Sequence, residues 1–142
     1  MRITLDTNIL VTANGHYGPG RELLNRIIVG RHDLILSQAI LYELEEVSYY
    51  PRIRRLMGMS EAEVSRYIER LAKISDLVDI GAPTPLPLHD FDDWMVLRTA
   101  IAGKVDILCS NDRDLHHPSL APLYRQAGIT ALTADELLTR LR

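Results

Sequence analysis

With 142 residues, 46% of them hydrophobic and 25% charged, the chain has the composition of a folded protein rather than a disordered one, and its length suits a single domain, 1–142, around one core. A formal net charge of −3 and a pI near 5.9 exclude a globally basic nucleic-acid binder, and the single Cys109 excludes an intrachain disulfide or a multi-cysteine zinc site. One Trp, one Phe and six Tyr leave little for base stacking as the main binding mode, no apolar run approaches the roughly 18–20 residues of a membrane span, and Arg2 and Asp6 interrupt any signal-like start, so the chain reads as a soluble cytoplasmic protein.

Ile3–Leu5 reads as a buried strand ending at Asp6. Thr7 and Asn8 are both good helix N-caps, before the short apolar turn Ile9–Val11. Asn14–Gly20 is a loop rich in helix breakers. A helix follows over about Pro19–Val29, with Leu23, Leu24, Ile27 and Ile28 on its apolar stripe and Gly30 as its C-cap. Leu34–Leu36 is a second buried strand, and Ser37 caps a helix to about Val47. Pro51 opens a short basic helix, and the capping box Ser60-Glu61-Ala62-Glu63 starts another that ends near Ile74. Leu77–Ile80 is a third strand. Ala82–Leu88, with three prolines, is an extended connector. Asp92 or Asp93 begins a helix that stops at Gly103, Val105–Cys109 is a fourth strand, Ile129–Leu132 a fifth, and Thr133 caps a last short helix. Strands alternating with helices predict an α/β/α sandwich around a parallel sheet covered on both faces.

The charge is unevenly spread. Residues 51–73 carry six basic groups (Arg52, Arg54, Arg55, Arg66, Arg70, Lys73) against three acids, whereas residues 76–115 carry eight Asp against Arg98, Lys104 and Arg113. The basic stretch suits a solvated helix face and a phosphate-binding face about equally. The acids fall at more informative places, because open parallel sheets bind ligands beyond the carboxyl ends of their strands. Asp6 ends the first strand, and Asp112 lies three residues past the fourth. Asp93 precedes Val96, Leu97 and Ala100 at i+3, i+4 and i+7, which puts it on the inward face of its helix. A carboxylate there needs a partner, a metal or the solvated first turn. Glu43 stands about 9 Å along its helix from Ser37 at 1.5 Å per residue. It and Glu45 flank the Ile40, Leu44, Val47 stripe on opposite sides, and periodicity does not choose between them.

Each acid alone also suits a turn, a cap or a solvated edge. Together at one end of one sheet they form an all-oxygen donor set, which favours Mg²⁺ or Mn²⁺ over Zn²⁺. His16, His32, His89, His116 and His117 lack metal-ligand spacing and read as surface residues. No Gly-x-Ser-x-Gly elbow, P-loop or Gly-x-Gly-x-x-Gly is present.

The order of these segments resembles the PIN-domain family, in particular the small toxin components of toxin–antitoxin pairs (VapC-type and relatives). The segment LDTNIL at Leu5–Leu10 resembles the family's first motif, and LSQAILYEL at Leu36–Leu44 resembles the second. HDFDDWMVLRTAIAGKVDILCSNDRDL at His89–Leu115 resembles the third and fourth. The resemblance implies a five-stranded parallel sheet and a Mg²⁺- or Mn²⁺-dependent ribonuclease, often a homodimer, with RNA as substrate and an antitoxin protein as partner. It places the metal-binding and catalytic acids at Asp6, Glu43, Asp93 and Asp112, with Asp114 as a fifth metal ligand. It also implies supporting roles for Asn8 and Ser110. Ser110 replaces the family's usual Thr but keeps the hydroxyl, and Phe91 stands where Pro is more usual; neither removes a ligand. RNA must approach a negative site, so Arg52, Arg54 and Arg55, with Arg66 and Arg70, are candidates for flanking phosphates. A non-catalytic RNA- or protein-binding module and a stand-alone RNA-processing nuclease are the competing readings.

Overall fold

The computed structural model describes residues 1–13, 19–81 and 91–141, except for the side chain of Phe91. The breaker loop, apart from Pro19 and Gly20, and the proline connector lie outside these, as do His16 and His89. In chain order the elements are β1 (Arg2–Leu5), α1 (Thr7–Ala13), α2 (Pro19–Val29), β2 (Asp33–Ser37), α3 (Gln38–Ser48), α4 (Pro51–Met57), α5 (Glu61–Ile74) and β3 (Ser75–Val78). They continue with α6 (Phe91–Ala102), β4 (Ile107–Cys109), two 3₁₀ turns (Arg113–His116 and Pro118–Leu120), α7 (Ala121–Ala127), β5 (Thr130–Leu132) and α8 (Ala134–Arg140). Among the described residues no helix is long and apolar enough to cross a membrane.

The five strands form one sheet in the order β3-β2-β1-β4-β5, and every pairing is parallel. The inner strands are short apolar runs because helices cover them from both sides. In β2, Ile35 lies against Gly103 at the end of α6, and the Ser37 hydroxyl accepts a 2.8 Å hydrogen bond from Thr99 of α6. By the alternation of a strand, Leu34 and Leu36 point to the opposite face, and they too are buried. There α2 packs on β2 and α8, while α6 packs on β1, β2 and β4. Ile3, Leu5, Ile35, Leu36, Leu97 and Leu108 form the centre of the core.

Local signals set most element boundaries. Ser60 and Glu63 make both hydrogen bonds of a capping box at the start of α5, and Thr133 and Glu136 do the same for α8. Ser37 caps α3 by accepting the Ile40 N–H. Gly58 takes the left-handed conformation that ends α4.

One expectation is corrected. The third strand is Ser75–Val78 rather than Leu77–Ile80, because α5 runs into it without a loop and pairs Ser75 with Leu34 and Asp76 with Ile35. As an edge strand, β3 tolerates polar residues that an inner strand excludes. Ile80 packs instead with Trp94 and Met95. At the end of α2, Gly30 stands at the C-cap position directly after Val29, and the left-handed residue is Arg31 (φ +56°), one place further on. The His32 N–H reaches the Ile27 carbonyl and the Arg31 N–H that of Ile28, so Arg31 occupies the left-handed position of a Schellman motif. Gly30 is needed for space: a Cβ there would lie 2.7 Å from the Arg26 carbonyl oxygen and 2.8 Å from the His32 ring.

The strand order also locates the crevice. From β1 the chain builds outward through β2 to β3 and then returns to the other side of β1 for β4 and β5. The connections after β1 and β4 therefore diverge, leaving an opening at the carboxyl ends of those two strands.

Candidate metal centre

Asp6 follows β1 directly and is only 7% exposed. Its backbone N–H extends the pairing to the Cys109 carbonyl, so the residue is held at the mouth of the β1–β4 crevice. Its carboxylate accepts the Ser110 hydroxyl at 2.7 Å and the backbone N–H groups of Thr7 and Asn8 at the start of α1. Burial nevertheless holds its pKa above the ordinary carboxylate value, and the nearby Asp112 charge adds to the rise.

Ser110 is fully buried and joins the two strands' acids. While its hydroxyl donates to Asp6, it accepts the Asp112 backbone N–H at 3.0 Å. The Ser110 carbonyl lies 2.6 Å from His116 Nε2. Asp112 in turn accepts the Asp114 N–H at 2.9 Å and so caps the 3₁₀ turn that begins at Arg113.

The inward face of α6 delivers Asp93 to the same place, 4% exposed. One carboxylate oxygen each from Asp93, Asp112 and Asp114 lies within 4.8 Å of the others. Glu43 comes from the second turn of α3 and is half-buried. It accepts the Thr7 hydroxyl at 2.8 Å. Burial, a hydrogen bond shared with Asp92 and the charges of Asp92 and Asp6 push its pKa to about 7, against the opposing Thr7 hydrogen bond.

The acids of the four motifs thus fall into two adjoining groups. Asp93, Asp112 and Asp114 form a triad, while Glu43 and Asp6 are linked to it by charge, Glu43 feeling Asp6 and Asp6 feeling Asp112. The triad offers hard oxygen donors, partly buried and mutually repelling, which fits a divalent cation of the Mg²⁺ or Mn²⁺ kind. Asn8 is exposed and reaches Asp6 through its backbone N–H. Arg52, Arg54 and Arg55 lie on α4, which packs against α1 and α3; Arg54 pairs with Glu61 at 3.6 Å, and Arg52 and Arg55 are exposed.

Three residues at the site were not singled out from the sequence. Thr7 read as a helix cap, Asp92 as one of two possible helix starts, and His116 as a surface residue. The structure makes Thr7 the partner of Glu43, Asp92 its neighbour, and His116 a half-buried partner of the Ser110 carbonyl. None has a periodic signal, since each depends on residues brought close by the sheet.

Residues 2–114 match the family described as PIN domain. No curated protein matches the chain. Among solved structures, the chain is similar to VapBC2 from Rickettsia felis bound to a DNA fragment from their promoter, with a TM-score of 0.59 and 15% identity over 94% of this chain and 98% of that chain. At that identity the likeness is one of fold.

Proposed function

The chain belongs to the PIN-domain family, and on that premise we propose that it is a divalent-metal-dependent ribonuclease that hydrolyses RNA phosphodiester bonds. The observation that carries this reading is the Asp93, Asp112, Asp114 triad at the crevice, with Asp6 and Glu43 beside it. Mg²⁺ or Mn²⁺, when bound, supplies Lewis-acid activation of water and of the scissile phosphoryl group. Asp93, Asp112 and Asp114 would hold the ion directly, and Asp6 and Glu43 directly or through water. Ser110 orients Asp6 and fixes the turn that carries Asp112. Glu43, half-buried and poised near neutral pH, is the side chain suited to accept a proton from the attacking water. Arg52 and Arg55 on α4 would meet flanking phosphates.

The fold shared with VapBC2 supports a finer reading, in which the protein is the toxin of a toxin–antitoxin pair. It then acts in the cytoplasm as a homodimer and is held inactive by an antitoxin that covers the acidic crevice. The test is cleavage of a pool of single-stranded and structured RNA with Mn²⁺, with Mg²⁺ and with EDTA, beside Asp93→Asn. Cuts that need metal and vanish in the variant, at unchanged thermal stability, are the expected result. Equal cutting by both proteins would remove Asp93 from the chemistry, and an absence of both cutting and metal binding would favour a binding module.

A further inference from the structure

Two of the three triad acids ride on one short loop, and the shape of that loop sets their spacing. Asp112 and Asp114 both follow β4, whereas Asp93 reaches them from α6. Three carboxylates with oxygens within 4.8 Å of one another repel before any cation arrives. A small divalent ion such as Mg²⁺ also accepts little departure from octahedral geometry. The loop must therefore be held closed against its own charge.

Ser110 is where the loop is gripped. All of its polar groups are engaged. Its N–H donates to the Leu132 carbonyl at 3.0 Å, its hydroxyl joins Asp6 to the Asp112 N–H, and its carbonyl lies 2.6 Å from His116 Nε2. A carbonyl can only accept, so Nε2 carries the proton and donates it. The peptide plane between Ser110 and Asn111 is thus fixed by a ring six residues further on. Rotation of that plane would swing Asn111 and Asp112 with it.

The rest of the loop is tied down in the same way. Asn111 accepts the Ala134 N–H of α8 at 2.9 Å, Asp112 accepts the Asp114 N–H, and the Tyr124 phenol donates to the Leu115 carbonyl at 2.6 Å. His116 then returns the end of the loop to its first residue. Its ring is half-buried and borders an open hollow of about 350 Å³ with His117, Tyr124 and Arg125, so a different side chain there leaves no sealed cavity.

We infer that His116 is a positioning residue for the metal centre. Through the Ser110 carbonyl it holds closed the loop that presents Asp112 and Asp114 beside Asp93. The inference rests on the metal-dependent reading of the site. A contribution to fold stability alone is the competing account.

The test is calorimetric titration of the metal-free chain with Mn²⁺, wild type beside His116→Leu and His116→Gln. Leu fills the space without a donor, and Gln offers an N–H at similar reach. His116→Leu should bind Mn²⁺ about tenfold more weakly, as expected for a group that supports a metal's ligands, and His116→Gln should recover most of the loss. Ser60→Ala, which uncaps α5, is the stability control: it should lower Tm and leave Mn²⁺ affinity unchanged. Hydrogen exchange without metal gives a second readout. The Asp112 and Asp114 amides should lose protection in His116→Leu and regain it in His116→Gln. Equal Mn²⁺ affinity in wild type and His116→Leu would overturn the inference. So would a Gln variant no better than Leu, or an equal loss of affinity in Ser60→Ala. Failure of the wild type to bind Mn²⁺ would remove the metal centre and this role with it. RNA cleavage is scored separately. If His116→Leu loses Mn²⁺ affinity yet wild type never cuts, the positioning role stands and the nuclease reading falls. If wild type cuts and both His116 variants bind Mn²⁺ and cut as it does, the reverse holds.

Discussion

Ser110 shows how much a single hydroxyl does in this site. It gives its proton to a buried carboxylate, takes an N–H from the turn behind it, and sits where solvent cannot replace either partner. Ser110→Ala should therefore cost about 1–3 kcal/mol, the penalty for stranding buried polar groups, measurable by urea unfolding. It should also weaken metal binding, because Asp6 and Asp112 lose their common support. Glu43 makes a different prediction. Its ordinary pKa is 4.5, and burial with Asp92 alongside moves it to about 7 in the folded chain. Between those values the folded state holds a proton that the unfolded state has released. This contribution to stability is thus present at acid pH and lost as pH rises through about 7. The raised pKa of Asp6 works in the same direction. Thermal melts of metal-free protein should give a Tm that falls as pH rises across that window, and Glu43→Gln should flatten the slope.

Helix α6 illustrates the tolerances at the level of elements. Its end passes so close to β2 that a Cβ on Gly103 would lie 2.4 Å from Ile35 Cγ2 and 3.0 Å from the Thr99 carbonyl oxygen. Gly103→Ala should destabilise by about 1–3 kcal/mol through overpacking, and Ile35→Val in the same chain should recover part of the loss in a denaturant melt. Helix boundaries were readable from the sequence where a local chemical rule set them, as at Ser60 with Glu63, Ser37 and Thr133, whereas the Gly58 cap of α4 was not singled out. Strand β3 was misplaced by two residues because an edge strand relaxes the apolar rule on which the reading relied. The position of the acids was legible for the same reason as the inner strands. Asp6 and Asp112 follow buried runs, and Asp93 shares a face with Val96, Leu97 and Ala100. The choice between Glu43 and Glu45 was not legible from spacing, since both flank one stripe. What distinguishes Glu43 is the hydroxyl of Thr7, 36 positions earlier in the chain. Asp92 and His116 were missed because their partners likewise arrive through the sheet and not along a helix.

For the whole molecule, the acidic crevice is a place where stability and ligand occupancy are coupled. Mutually repelling carboxylates favour any cation that joins them, so Mn²⁺ or Mg²⁺ at a hundred times its dissociation constant should add about 2.7 kcal/mol to the unfolding free energy. The rise in Tm should be absent in Asp93→Asn, which makes calorimetry a check on the site that needs no substrate. The strand order has a consequence for the history of each copy of the protein. The first strand made becomes the middle of the sheet, and Asp6 waits for Ser110, 104 residues later in synthesis. Asp93 likewise has no Asp112 or Asp114 until the fourth strand has emerged and paired. A growing chain therefore leaves the ribosome's exit tunnel with its acids scattered, and no shorter nascent fragment carries the assembled cluster while surrounded by the RNA of the machine that is making it.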